Sequence, residues 1–230
     1  MEINRRHYQV LFVILLFYLV AQLFQQYVLR LGVMSGIADL SDSIVAGQSF
    51  SNKTRLTLVL LSLFLMFIGY AILCLSFYSR RPVESLMALI FFAVFCGIEV
   101  CYRSVELFFI VFSIGNEFAN GSTEARNELL PIITRFNDIV SSIYFPLLLA
   151  HLMGSIFLML ASRNEVTAKL VTIAMAINSI RLLLRLAEFT PFGFLNIFGG
   201  PWYFPPVAVI FVLLIAWTWK KILDTGTIKS

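Results

Sequence analysis

The chain has 230 residues, of which 60% are apolar and 13% charged, and a formal net charge of +4 with a mean hydropathy of +0.89. That composition excludes an ordinary soluble domain. No basic run with interleaved aromatics accompanies the positive excess, which excludes nucleic acid as a partner.

The apolar residues fall into six blocks, at about 8–31, 55–78, 84–115, 131–161, 166–190 and 203–220. Each is long enough to cross a hydrocarbon core of ~30 Å. Backbone polar groups in lipid need local partners, so the blocks are helices. The alternating ten-residue strands of an outer-membrane barrel are not visible. The expected fold class is all-α, a polytopic membrane helix bundle with six transmembrane helices, forming a single domain over residues 1–230.

The first block is too long for a signal-peptide core, and Gln22, Gln25 and Gln26 follow it in place of small residues. It therefore reads as a retained helix. Residues 32–54, with Gly32, Gly36 and Gly47, read as a connection, and Asn52-Lys53-Thr54 within them matches a glycosylation acceptor. Ser79-Arg80-Arg81-Pro82 is a short link that makes the second and third helices antiparallel neighbours. Cys74, Cys96 and Cys101 all lie inside spans. Their odd number argues against a disulfide framework and for small packing residues.

The third and fourth blocks exceed ~20 residues and are expected to tilt or project beyond the membrane. Residues 116–130 read as a polar connection with a helix start after Ser122, and Asn120-Gly121-Ser122 is a second acceptor match. Pro146 removes a backbone donor in the fourth helix and is expected to kink it. Arg163-Asn164-Glu165 is again a short link. Residues 189–206 are rich in Gly, Pro and aromatics and end in Trp202 and Tyr203. Trp217 and Trp219 beside Lys220 and Lys221 complete an aromatic belt with a basic stop. The three longer connections all fall on one side, which suggests a cap or rim there.

Lys and Arg set the orientation. With the N-terminus inside, the inner segments hold Arg5, Arg6, Arg80, Arg81, Arg163, Lys169, Lys220, Lys221 and Lys229, against Arg30, Lys53, Arg55 and Arg126 outside. Asp39, Asp42, Glu117, Glu124 and Glu128 also fall outside. Both termini are expected to be cytoplasmic, in a multi-pass protein of a cytoplasmic (inner) membrane.

Two helices carry charges in mid-span. Glu99, Arg103 and Glu106 share one helical face by i, i+4, i+7 spacing, and so do Arg181, Arg185 and Glu188. Glu99 and Arg181 each lie roughly 15 residues beyond the inner end of their helix, which at ~1.5 Å per residue puts both near the middle. That register sets Glu99 opposite Arg181. Asn178 extends the second face, Tyr102 borders the first, and the fourth helix contributes Arg135 and Asp138 near its outer end. Four arginines then face four carboxylates. The fourth helix also carries Asn137, Ser141, Tyr144, His151 and Ser155 near one face.

Intramembrane charge is costly and marks function by default. Arginine forks in a wet cavity of the outer half would grip a carboxylate, phosphate or lipid headgroup. The function expected is therefore to bind or pass a small anionic molecule or lipid headgroup. One alternative is a structural or assembly subunit with an internal ion-pair network, joined to a membrane partner or a second copy. Another is an intramembrane lipid-modifying enzyme with a carboxylate or His151 as acid/base. With His7 and His151 as its two histidines and no HExxH spacing, the chain offers no metal site. It also has no GxSxG elbow and no P-loop, so no catalytic residue and no cofactor is assigned.

The Tyr102-Arg103-x-x-Glu106 stretch, Gly154 followed by Ser162-Arg163, and Trp217 to Lys221 resemble motifs of a family of bacterial six-span membrane proteins known only as a domain of unknown function. The resemblance covers about residues 8–224 and implies the six-span fold and a bacterial cytoplasmic membrane, with no activity. The chain departs from the family where Asn164-Glu165 replace its usual Pro-Arg pair.

Overall fold

The computed structural model describes residues 3–32, 40–189 and 204–224. Gly36 and Asp39, the run from Pro191 to Pro201, Trp202, Tyr203 and Lys229 lie outside the described residues. Among those described, the chain is helical without strands. Six stretches are long and apolar enough to cross a membrane: Arg5–Arg30, Phe50–Tyr78, Pro82–Asn120, Thr123–Ser162, Val166–Ala187 and Phe204–Asp224. The chain is a multi-pass membrane protein.

In chain order the elements are α1 (Arg5–Gln26), a π-helical turn at Tyr27–Leu31, α2 (Leu40–Gly47) and α3 (Phe50–Tyr78). Then come α4 (Pro82–Ser104), which continues as a π-helix over Val105–Ile114 into α5 (Gly115–Asn120), and α6 (Thr123–Ser162). A 3-10 turn at Val166–Ala168 leads into α7 (Lys169–Ala187), and α8 is Phe204–Asp224.

Several boundaries differ from expectation for local reasons. Residues 116–130 are almost entirely helical. Gly121, extended at φ −79° and ψ 164°, and Ser122 alone separate α5 from α6. A Cβ on Gly121 would meet the Glu117 carbonyl at 2.8 Å, so the sharp exit needs glycine. Ser122 then caps α6 by accepting from the Ala125 amide at 3.4 Å. Arg126 donates to the Phe118 and Ala119 carbonyls at 2.9 and 3.0 Å, closing the end of α5. Polar residues here mark exposure of a helix, not a break in it. In the same way α3 starts at Phe50, which takes Asn52 and Lys53 out of the first connection. Pro146 lies within the unbroken α6.

Close packing divides the chain into two compact units. The first comprises Met1–Leu19, Leu65–Cys96 and Phe145–Ser230, and the second Val20–Phe64 and Gly97–Tyr144.

In the first unit α7 packs on α8. Trp217, 1% exposed, lies edge-on to Tyr8 and stacks on Phe77, with ring centroids at 5.6 and 5.9 Å. It is a core residue, not a belt residue; only Trp219, 51% exposed, has the expected exposure. Cys74 and Cys96 are buried as expected, whereas Cys101 of the second unit is exposed. In the second unit α2 packs on α5. Ile114, Phe118, Leu129 and Ile133 form one apolar cluster with Ile44 against it, and Leu56, Leu107 and Val111 form another.

Candidate functional site

The two charged triads belong to different units, and each is built differently. In the second unit Arg103 donates through Nε to Glu99 Oε1 at 3.0 Å and through Nη1 to Glu106 Oε2 at 2.7 Å. Its guanidinium also lies 4.5 Å from the Tyr102 ring centre and donates to the Tyr102 hydroxyl at 3.3 Å. The central position explains this. Arginine at i has one carboxylate at i−4 and another at i+3, both within reach on a helix. Glu106 sits in the first turn of the π-helix, a geometry that recurs at functional sites.

Arg55, assigned to the outer segments by the sequence, belongs to the same unit. It is buried in α3 at 6% exposure, with its Nε held by Asn52 Oδ1 at 2.9 Å. Asn52 in turn donates to the Gly47 carbonyl at 2.9 Å, so its amide is committed and buried, and it is no glycosylation acceptor in this fold. Gln48 donates to the Val111 carbonyl of the π-helix at 3.0 Å and braces the same region. Asn52-x-x-Arg55 at i, i+3 was the available sequence signal, obscured by its place at the edge of an apolar block.

Arg135 and Asp138 are exposed, and neither forms an ion pair among the described residues. The expected third contribution to the cluster is therefore not brought in. Asn137 and Ser141 are exposed as well. Tyr102 meets Phe136 and Tyr144 of α6 through its ring, at 6.2 and 6.3 Å.

In the first unit Arg185 pairs with Glu188 at 3.1 Å. Arg181, 4% exposed, is seven residues from Glu188, about 10 Å along the axis. It donates instead to Asn178 Oδ1, through Nε at 3.2 Å and Nη2 at 2.9 Å. An arginine only donates, so these bonds fix the amide with its oxygen toward Arg181. The Asn178 nitrogen then donates to Ser155 Oγ at 2.8 Å and to His151 Nε2 at 3.1 Å. Ser155 in turn donates to the His151 carbonyl at 2.8 Å.

His151 Nε2 also faces the Tyr70 hydroxyl at 3.3 Å. Because Nε2 accepts from Asn178, the ring is the neutral tautomer with its proton on Nδ1. That nitrogen is not a free base in this arrangement. Two aromatics of α4 enclose the chain: Phe92 stacks on Tyr70 at 3.9 Å, and Phe95 on His151 at 4.1 Å. Gly154 admits Phe92, since a Cβ there would meet the ring at 2.8 Å. The result is a hydrogen-bonded path from Tyr70 to Arg181 across α3, α6 and α7, walled by α4.

Of these residues the sequence singled out Asn178 and Arg181 as site residues and placed His151 and Ser155 on a polar face. Tyr70, Phe92 and Phe95 it missed. Tyr70 alone gave a signal, because a mid-span phenol needs a partner for its hydroxyl. Among the described residues no three His, Cys, Asp or Glu side chains are grouped to hold a metal ion. Comparison with protein-family models, with curated proteins and with solved structures finds no match.

Proposed function

We propose that the chain binds or passes a small anionic molecule or lipid headgroup, and that Arg181 is the cation that grips it. The observation that carries this reading is the preorganisation of Arg181. Its guanidinium is buried in a spanning helix and oriented by an amide that is itself tied to Ser155 and His151 of another helix. A fork held this way is suited to a carboxylate or phosphate oxygen pair. Arg185 sits one turn further along the same helix with Glu188 as its partner. The site belongs to the outer half of the protein, both termini are cytoplasmic, and the membrane is a bacterial cytoplasmic one, in keeping with the Lys and Arg distribution and with the six-span family resemblance at Tyr102, Arg103 and Glu106.

Native mass spectrometry of protein extracted in mild detergent tests this directly. A retained anionic metabolite or phospholipid is expected, lost in Arg181→Gln while the variant still elutes as folded protein. Retention unchanged by that substitution sinks the assignment.

A second reading, a structural or assembly subunit, draws on Arg103. Its two carboxylates leave little of that guanidinium to offer a ligand. Both pairs close within one helix, however, and pairs of that kind neutralise a helix without joining it to a neighbour. A copurified partner chain that is lost in Glu99→Gln, with no small molecule retained, would favour this reading.

A further inference from the structure

At one end of the first unit the helix termini are tied to a common level. Glu165, in the link between α6 and α7, accepts from Arg80 of the α3–α4 link at 3.3 Å and from Lys221 of α8 at 3.3 Å. Thr167 donates to the same carboxylate at 2.6 Å and accepts from Lys221 at 3.1 Å. Tyr8 of α1 packs on Trp217 of α8, which brings the start of α1 to the same end.

Around this frame stand Arg5, Arg6, Arg163, Lys169 and Lys220, all exposed and without an ion pair among the described residues. Of the acids at this end, Glu84 is engaged with Arg81 and Glu165 as above, while Asp224 closes α8. Tyr78, Val83, Val166 and Trp219 are exposed among the cations. In a multi-pass protein a ring of helix ends lies at headgroup depth, where such aromatics anchor. The surface joins unpaired cations to interfacial apolar groups, and the partner of matching chemistry is a phosphate on an acyl chain.

We propose that this rim binds anionic phospholipid headgroups, with Arg163, Lys169 and Lys220 as the phosphate-binding cations. Glu165 is the internal competitor that holds Arg80 and Lys221 away from lipid. The site is separate from Arg181 and does not depend on the reading given to it.

The test uses the whole chain in bilayer nanodiscs of phosphatidylcholine containing a minor fraction of phosphatidylglycerol. The ratio of the two lipids retained on the ejected protein is read by native mass spectrometry. The triple variant Arg163→Gln, Lys169→Gln, Lys220→Gln is expected to lose phosphatidylglycerol enrichment by about fivefold or more, the factor matching ~1 kcal/mol for even one effective contact. Glu165→Gln, which frees two further cations, is expected to raise it. Lys53→Gln, at the other end of α3, is expected to leave it unchanged. Wild-type enrichment in the triple variant overturns the proposal, as does an equal loss in Lys53→Gln, and enrichment that fails to rise in Glu165→Gln overturns the competitor role. Should the triple variant not fold, the unmodified chain still decides: enrichment at headgroups is expected to fall steeply at high salt, and insensitivity to salt overturns the proposal.

Discussion

The two triads share one spacing and reach opposite outcomes. On α4 and its π-helical continuation the arginine stands between two carboxylates and takes both, 3.0 and 2.7 Å away. On α7 the single carboxylate stands at the end of the triad. Arg185 takes it, and Arg181 turns to a neutral amide anchored on another helix. The order of signs along a helical face, not the number of charges, decides whether a group closes on itself or reaches across to its neighbours. The first triad is a self-paired element in which one arginine serves both carboxylates of its own helix. The second is a cross-braced cation.

The strongest way to break this contrast is to remove the central charge of the closed triad. Arg103→Leu leaves Glu99 and Glu106, both half-buried, without their cation, and loss of one partner of a fully buried pair costs at most ~3–5 kcal/mol. The expected outcome is failure to recover folded protein, read by size-exclusion yield in detergent, with substantial recovery when Glu99→Gln and Glu106→Gln are added. No loss in the single variant would show that the pair does not hold the charge.

Next in size is Gly154→Ala. Its methyl would press on the Phe92 ring, which stacks on Tyr70. Overpacking of about 1–3 kcal/mol is expected, as a lower melting temperature. Phe92→Leu added to Gly154→Ala should return part of it.

Asn178→Leu sharpens the cross-brace itself. The variant loses the bonds to Ser155, His151 and Arg181, and each hydrogen bond between membrane helices contributes ~0.6–2 kcal/mol. Thermal stability should fall, and nitrogen NMR of His151 should show the Nδ1-protonated tautomer in the parent and a mixture in the variant. A mixture in the parent would overturn the amide assignment.

The smallest effect is expected at Glu165→Gln. Burial pushes that carboxyl up, but the Thr167 hydroxyl and the Lys221 and Arg80 charges outweigh it and hold it below the usual carboxylate value of 4.5. A depressed value in the folded state stabilises above the ordinary value and fades as pH falls through the depressed one. The parent should therefore exceed the variant in melting temperature at neutral pH, with the difference shrinking below about pH 4.5. A difference that grows on acidification contradicts the ion pairs.

Much of the fold was legible because lipid imposes a long-wavelength rule: six apolar runs of spanning length need no tertiary information to be recognised. The shared face of each triad was legible too, but the sequence register sets Arg181 opposite Glu99, whereas Glu99 is taken by Arg103 one turn along its own helix. In the link at 116–130 the helix start after Ser122 was legible, but the helix before it was not, because polarity at 116–120 was taken for a break that is a matter of two residues, Gly121 and Ser122. Trp217 was misread for a related reason: an indole near a basic stop looks interfacial until Tyr8 and Phe77 are seen around it.

By itself, then, the sequence determined the class, the spans and the charges that each helix must neutralise along its own length. Tertiary structure alone decided that Arg55 is buried on Asn52 and that Arg135 and Asp138 stand exposed, outside the acidic triad's ion pairs. It also decided that Arg181 is held through Asn178 by Ser155 and His151. These contacts join residues 23 and 27 positions apart along the chain, or depend on which face of a helix is buried. Helical periodicity carries information over a turn or two, and only packing brings distant turns together.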